Sequence, residues 1–171
     1  MEIGFSTVGI VGAGAMGRGI AQIAAEAGCR VILFDQQPGQ VSAATEQIRV
    51  QWLRQVDKGR RSAQDAHTLL ERIQGAVAIE DLAACDIVVE AIVENLAIKR
   101  QLMAHLGKLC PSAVLATNTS SLSVTAIASG LDRESHIVGF HFFNPVPLMK
   151  VVEVIPGLNP DPAVAPRLCA L

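Results

Sequence analysis

The sequence predicts an α/β fold in which a doubly wound, mostly parallel sheet carries helices on both faces. Three observations predict it. Apolar strand-like runs alternate with helix-like ones along most of the chain, and such alternation builds parallel sheets covered on both faces. A glycine-rich turn, Gly12-Ala-Gly14-Ala-Met-Gly17, joins the first strand-like run to the first helix-like one. An acidic residue, Asp35, stands where the second strand ends.

The elements follow in order. Thr7-Val-Gly-Ile-Val11 is a short apolar run and reads as a buried strand. Residues 15–27 read as a helix closed by Gly28, since glycine readily adopts the left-handed conformation at a helix C-terminus. Arg30-Val-Ile-Leu-Phe34 is a second strand. A helical stretch over 40–74 follows, broken near Lys58-Gly59, with Ser62 capping a new helix. A short strand is expected over 76–79. Ile87-Val-Val-Glu-Ala-Ile92 is the next strand, with a helix over 94–109 after it. A strand over 113–117, a helix over 123–129 and a strand over 136–143 continue the pattern. Asn159-Pro-Asp-Pro reads as a helix start. The tail from about residue 159 is therefore expected to open a truncated second domain or a linker helix, with a short docked helix as the alternative.

The 171 residues suffice for one sizeable core and are marginal for two, so 1–171 is expected to be a single domain with that tail. Half the residues are hydrophobic and 18% are charged, which suits a globular chain. A net charge of −2, with no basic run, speaks against a nucleic-acid partner. No window of eighteen consecutive apolar residues exists, so no membrane span is expected. The apolar stretch over 3–10 does not read as a signal peptide, because Glu2 stands in place of a basic leader and Gly4 and Gly9 interrupt the run. Cys29, Cys85, Cys110 and Cys169 form no C-x-x-C pair and no zinc-ligand spacing. They are expected to be reduced cysteines of a cytoplasmic chain, used as small apolar residues, with no metal bound.

The glycine turn has the G-x-G-x-x-G spacing in the context that gives the pattern meaning, after a strand and before a helix. Gly12 permits the tight turn. Gly14 lets the backbone approach a pyrophosphate, which would rest on the helix N-terminus together with Ala15 and Met16. Gly17 allows the helix to pack closely on the strand. Asp35 lies 23 residues after Gly12. A carboxylate there accepts from both adenosine ribose hydroxyls and repels a 2′-phosphate, and the following Gln36 and Gln37 offer no positive charge to neutralise one. These features predict a Rossmann-type site for NAD(H) rather than NADP(H). FAD uses a similar fingerprint, so the loop alone leaves it open.

The run His141-Phe-Phe-Asn-Pro-Val-Pro-Leu-Met-Lys-Val-Val-Glu153 is narrower in meaning. It sets an imidazole and a carboxylate on two apolar, strand-like segments joined by a Pro-Val-Pro corner. If the chain folds back there, Glu153 reaches the ring of His141. A carboxylate that orients an imidazole makes it a general acid/base suited to proton transfer near neutral pH. For an isolated histidine, a satisfied buried side chain is the commoner role.

With the loop, Asp35 and this run in place, the chain resembles the NAD-binding domain of the 3-hydroxyacyl-CoA dehydrogenases, including those acting on 3-hydroxybutyryl-CoA or 3-hydroxyadipyl-CoA. The resemblance spans 7–156 and rests on Val88-Val-Glu-Ala-Ile-Val-Glu-Asn95, Thr117-Asn-Thr-Ser-Ser-Leu122 and Gly139-Phe-His-Phe-Phe-Asn-Pro-Val-Pro147. It implies that His141 is the catalytic base towards the 3-hydroxyl group and Glu153 its orienting partner. Ser120 would hydrogen-bond the reacting oxygen. Glu94, Lys99 and Asn144 would lie beside the nicotinamide half of the cofactor, with Asn118 shaping the same loop. Lys58 would stand near the CoA phosphates.

The resemblance further implies an acyl-CoA substrate and oxidation to the 3-ketoacyl-CoA, in fatty-acid or aromatic-acid breakdown. It also implies a homodimer in the complete protein. Members of the family continue into a helical second domain that closes over the substrate and is absent from these residues. Little or no turnover is therefore expected of this chain alone. Two other readings fit the same residues: an NAD(H)-binding module of a multifunctional protein, and a dehydrogenase of free 3-hydroxy acids.

Overall fold

The computed structural model describes residues 4–169; the readings made above for Glu2 and Ile3, and the last two residues of the tail, lie outside them. The strands are β1 (Thr7–Val11), β2 (Arg30–Phe34), β3 (Ile73–Gly75), β4 (Ile87–Glu90), β5 (Val114–Thr117), β6 (Ile137–Phe142) and β7 (Val152–Pro156). The helices are α1 (Ala15–Glu26), α2 (Gln40–Asp57), α3 (Ala63–Glu71), α4 (Leu96–Leu109), α5 (Val124–Ala128) and α6 (Val164–Cys169).

The strands make one sheet in the order β3-β2-β1-β4-β5-β6-β7. The first six are mutually parallel, and β7 runs antiparallel to β6. The chain winds outward from β1 to β3 and then returns past β1 to β4. The winding direction therefore switches between β1 and β4, which opens a crevice at the C-terminal ends of those strands.

Alternation along each strand divides the core into two layers. Val8, Ile10, Val31, Leu33, Phe140 and Phe142 pack with residues of α1, α2 and α3. On the other face, Ile32, Val88, Leu115 and Ile137 pack with Met103 and Leu106 of α4 and Ile127 of α5. Helix α2 buries only Ala44, Ile48 and Trp52, a narrow stripe at four-residue spacing. Its indole Nε1 donates to Glu26 Oε1 at 2.6 Å, and Arg61 Nη2 donates to the same oxygen at 3.0 Å. The expected break falls at Gly59, whose φ of +66° is left-handed. Ser62 then caps α3 by accepting from Asp65 N at 3.0 Å.

The prediction departs from the structure around residues 72–82. The helix ends at Glu71 instead of continuing to 74, and the strand lies at Ile73–Gly75 instead of 76–79. Register with β2 decides this: Ile73, Gln74 and Gly75 pair with Val31, Ile32 and Leu33. The apolar run that suggested a strand leaves Val77 96% exposed. Asp81 turns the chain there by accepting from Val77 N at 2.8 Å and Ala78 N at 3.2 Å. Three cysteines are buried as expected, but Cys169 is exposed. Burial pushes the Cys85 thiol up to about 12, with Cys110 and Asp86 adding to the effect. The tail helix begins at Val164, and Val164 and Leu168 join the core on the α1 side. No helix among the described residues is long and apolar enough to cross a membrane.

Trp52 is fully buried and hydrogen-bonded. Trp52→Ala is expected to cost about 3–5 kcal/mol of folding stability, read from urea unfolding followed by circular dichroism.

Candidate active site

The glycine turn sits at the switch point. Gly12 has φ +102°, and a Cβ there would lie 2.5 Å from the Ala91 carbonyl oxygen at the exit of β4. A Cβ on Gly17 would lie 1.8 Å from the Gly12 carbonyl oxygen, so α1 reaches its position only with glycine there. A Cβ on Gly14 would meet nothing within 4 Å, because this glycine faces open space. Helix α1 has no side-chain cap and no acidic residue in its first turn. Among the described residues no protein acceptor takes the N–H groups of residues 14–17. Unsatisfied donors at a helix N-terminus, beside a glycine that leaves the approach clear, fit a pyrophosphate.

Asp35 closes the loop from the second strand. Its Oδ2 accepts from Ala13 N at 2.7 Å and its Oδ1 from Gln37 N at 2.8 Å. Each oxygen keeps a lone pair for a ribose hydroxyl. Beside it lies a cavity of about 560 Å³, walled by Phe34, Ile79, Ile92, Ile98 and Leu102. Its apolar walls suit an adenine ring. None of these five was singled out in the sequence, because their apolar character marks them equally well as core.

Farther along the same edge, β6 and β7 pair with His141 directly opposite Glu153. His141 Nδ1 lies 2.8 Å from Glu153 Oε2. An ionised carboxylate only accepts, so Nδ1 carries the proton of this bond, and Nε2 has no hydrogen-bond partner among the described residues. Phe143 packs against the imidazole with ring centroids 4.7 Å apart. His141 shares a sheet face with Ile137, the side of α4 and α5. Residues 118–123 connect β5 to α5. Asn118 ties the two strands by accepting from Phe142 N at 2.9 Å. Ser120 and Asn144 are both exposed at this edge.

Glu94 and Lys99 lie together at the start of α4, where their side chains pair with each other. Glu94 lies just before the α4 cap, Asn95, and its carboxylate points into the β5–α5 loop. It accepts from the Thr119 hydroxyl, from Ser120 N at 3.2 Å, from Ser121 N at 3.3 Å and from Ser121 Oγ at 3.1 Å. Burial opposes its ionisation, yet the bonds from Thr119 and Lys99, the Lys99 charge and the Ser121 bond outweigh this and hold the carboxyl at about 2. Lys99 is only 1% exposed, and its ammonium pairs with Glu90 at 2.6 Å and Glu94 at 3.2 Å. Sequence reasoning missed Glu90, although a carboxylate inside an otherwise apolar strand signals a buried cationic partner. Lys58 stands away from the cavity beside Asp35. It caps the far end of α2, eighteen residues or about 27 Å along the helix axis from Gln40 at the cavity rim.

Glycine turn, switch point and Asp35 define a dinucleotide-binding domain. The family model described as "3-hydroxyacyl-CoA dehydrogenase, NAD binding domain" matches residues 7–171, and the chain belongs to that family. It is 40% identical over its whole length to the 3-hydroxyadipyl-CoA dehydrogenase of Escherichia coli (strain K12), of which it covers 36%. It is 41% identical over 95% of its length to a probable 3-hydroxybutyryl-CoA dehydrogenase of Bacillus subtilis (strain 168), of which it covers 57%. The crystal structure of 3-hydroxybutyryl-CoA dehydrogenase from Escherichia coli K12 superposes with a TM-score of 0.94 at 40% identity, over 96% of this chain and 35% of that one. The chain thus spans between about a third and three fifths of these relatives.

Glu94 makes a pH test possible. Its carboxyl is depressed from an ordinary value of 4.5 to about 2. Its contribution to stability is therefore complete above the ordinary value and is lost as pH falls through the lower one. The stability difference between wild type and Glu94→Gln is expected to be largest near neutral pH and to shrink from about pH 4.5 towards about pH 2. Urea unfolding across that range measures it.

Proposed function

We propose that this chain is the cofactor-binding half of an NAD-dependent dehydrogenase that oxidises a (3S)-3-hydroxyacyl-CoA to the 3-ketoacyl-CoA. The observation that carries the reading is the 2.8 Å contact between His141 and Glu153 at the sheet edge that also holds the glycine turn. Bound NAD supplies the acceptor for the hydride that leaves C3. Residues 14–17 hold the pyrophosphate with backbone N–H groups. Asp35 receives the adenosine ribose hydroxyls and turns away a 2′-phosphate.

His141 Nε2 takes the proton from the 3-hydroxyl group, while Glu153 keeps the ring turned towards it through Nδ1. In the opposite direction His141 returns that proton to the forming alkoxide. The Ser120 hydroxyl donates to the same oxygen. Glu94, Lys99 and Asn144 border the nicotinamide side, and Asn118 shapes the same loop. Lys58, exposed at the far end of α2, is in reach only of the remote phosphate end of an extended CoA. Holding both reactants together contributes most, since proximity lowers barriers by roughly 7–11 kcal/mol in well-oriented systems. We assign the whole protein to the cytoplasm, where the four free cysteines of this chain stay reduced, and residues 1–171 to its NAD-binding domain, with α6 leading towards the helical partner domain.

Two measurements test the reading. Fluorescence titration of the intact protein is expected to give saturable NADH binding with NADPH weaker by roughly tenfold or more, a gap of about 1.4 kcal/mol. Equal affinities would remove Asp35 from its role. His141→Ala is expected to lower turnover of a 3-ketoacyl-CoA by about 10²–10⁴-fold with little change in NADH affinity. Unimpaired turnover would overturn the base assignment.

A further inference from the structure

The cavity beside Asp35 is walled mainly by apolar side chains, but helix α4 sets two polar ones into it. Ile98, Gln101, Leu102 and His105 line it together. Steps of three, four and seven residues from Ile98 put all four on one helix face. Between residues 95 and 109, side-chain hydrogen bonds come from Asn95, Lys99 and Arg100. Gln101 and His105 are exposed and make none among the described residues. The other polar side chains of the cavity, Asp35, Gln36, Gln37 and Gln40, come from the end of β2 and the start of α2. Gln40 Nε2 donates to Gln37 Oε1 at 3.3 Å, and Asp35 holds the Gln37 amide at 2.8 Å. With the adenosine ribose at Asp35, the base lies one bond farther on, among the apolar walls. Such walls hold a flat ring by its faces and accept any purine. Identity is read at the edge. Adenine presents there an amino hydrogen beside the acceptor N7, and a glutamine amide matches the two with its oxygen and its NH₂ group. Hypoxanthine carries an oxygen in place of the amino group. Its edge offers two acceptors, and the amide oxygen then faces one of them.

We propose that Gln101 reads the edge of the cofactor's base and makes the site selective for an adenine dinucleotide over its 6-oxo counterpart. This rests on the placement of the adenosine ribose at Asp35 given above. Gln101 stands beside Leu102, whose side chain is part of the apolar wall. His105 stands four residues on, about 6 Å farther along the helix axis from the exit of β4. Its ring offers an edge one nitrogen at a time, where the Gln101 amide offers a paired donor and acceptor.

The test compares NADH with reduced nicotinamide hypoxanthine dinucleotide by fluorescence titration of the intact protein. Both ligands carry the same dihydronicotinamide, so one signal serves for the two. Wild type is expected to bind NADH roughly tenfold tighter or more. Gln101→Leu removes the amide at an exposed helix position and keeps a good helix former there. It is expected to bring the two dissociation constants within about twofold of each other, by weakening NADH. Gln101→Arg offers donors only, which match two acceptors, and is expected to favour the hypoxanthine form. The preference for NADH over NADPH belongs to Asp35 and is expected to be unchanged in Gln101→Leu. Equal affinity of wild type for the two bases overturns the proposal, and so does a preference for adenine that survives in Gln101→Leu. If NADH is still preferred over NADPH in either case, the reading of Asp35 stands. Absence of NADH binding by wild type overturns both.

Discussion

Helix α1 can lie against β1 only because residue 17 has no side chain. A single Cβ there would fall 1.8 Å from the Gly12 carbonyl oxygen, and no rotamer change relieves a backbone clash. The approach brings the helix N-terminus to the C-terminal end of β1 with its first N–H groups free. The second contact, between Gly12 and the Ala91 carbonyl, brings the exit of β4 to the same point. The crevice, its cation-like helix end and its largely apolar cavity are consequences of these two close approaches. Gly14 differs from both. It is needed for what it leaves open, and so it is the glycine whose replacement the fold itself would tolerate.

At the other side of the sheet a different constraint operates. Parallel strands deliver all their C-terminal ends to one edge, which gathers loops but sets no side chain directly opposite His141. A strand returning antiparallel does so. β7 pairs Glu153 with His141 in register, and the two-residue period places both on one face. A slip of one residue would turn Glu153 to the opposite face and leave the imidazole unsupported. The Pro-Val-Pro corner that reverses the chain is anchored by Val146, which is buried against Gly19 of α1. The cofactor helix and the histidine strand are thereby packed to each other through one residue.

Much of this was legible in the sequence where local pattern and tertiary demand agree. β1 and β2 fall at the expected residues, as do the Ser62 cap and the break at Gly59. The pairing of His141 with Glu153 was readable because two apolar strands joined by a proline corner leave little choice of register. The region of β3 was not readable. Its run of Ala76, Val77, Ala78 and Ile79 looks like a strand, but the pairing partner β2 selects the less apolar Ile73, Gln74 and Gly75. Gly75 is admitted there because a side chain would press within 2.9 Å of Val41. Glu94 and Lys99 were found as residues, but their neighbours were not. A helix-start carboxylate and a helix lysine are ordinary in one dimension, and only the fold brings Glu90, Thr119 and Ser121 around them.

The carboxylates around the site also narrow who can move a proton. Glu90 is buried and committed to Lys99, Thr117 and the Ile92 amide. Glu94 is held ionised down to about pH 2 by several donors, so near neutrality it has neither a proton to give nor a free place to take one. Asp35 spends one lone pair of each oxygen on the loop and lines the cavity at the switch point. Glu153 is half exposed but bonds the His141 ring, which leaves the imidazole as the group with a free nitrogen at that edge. The three committed carboxylates act through geometry: one ties the loop to the second strand, and two tie the serine loop to the sheet. In the proposed reaction such division would keep negative charge fixed around the place where the alkoxide forms. In the reaction proposed above, a fixed neutral donor such as the Ser120 hydroxyl would offset the repulsion that nearby carboxylates exert on that oxygen.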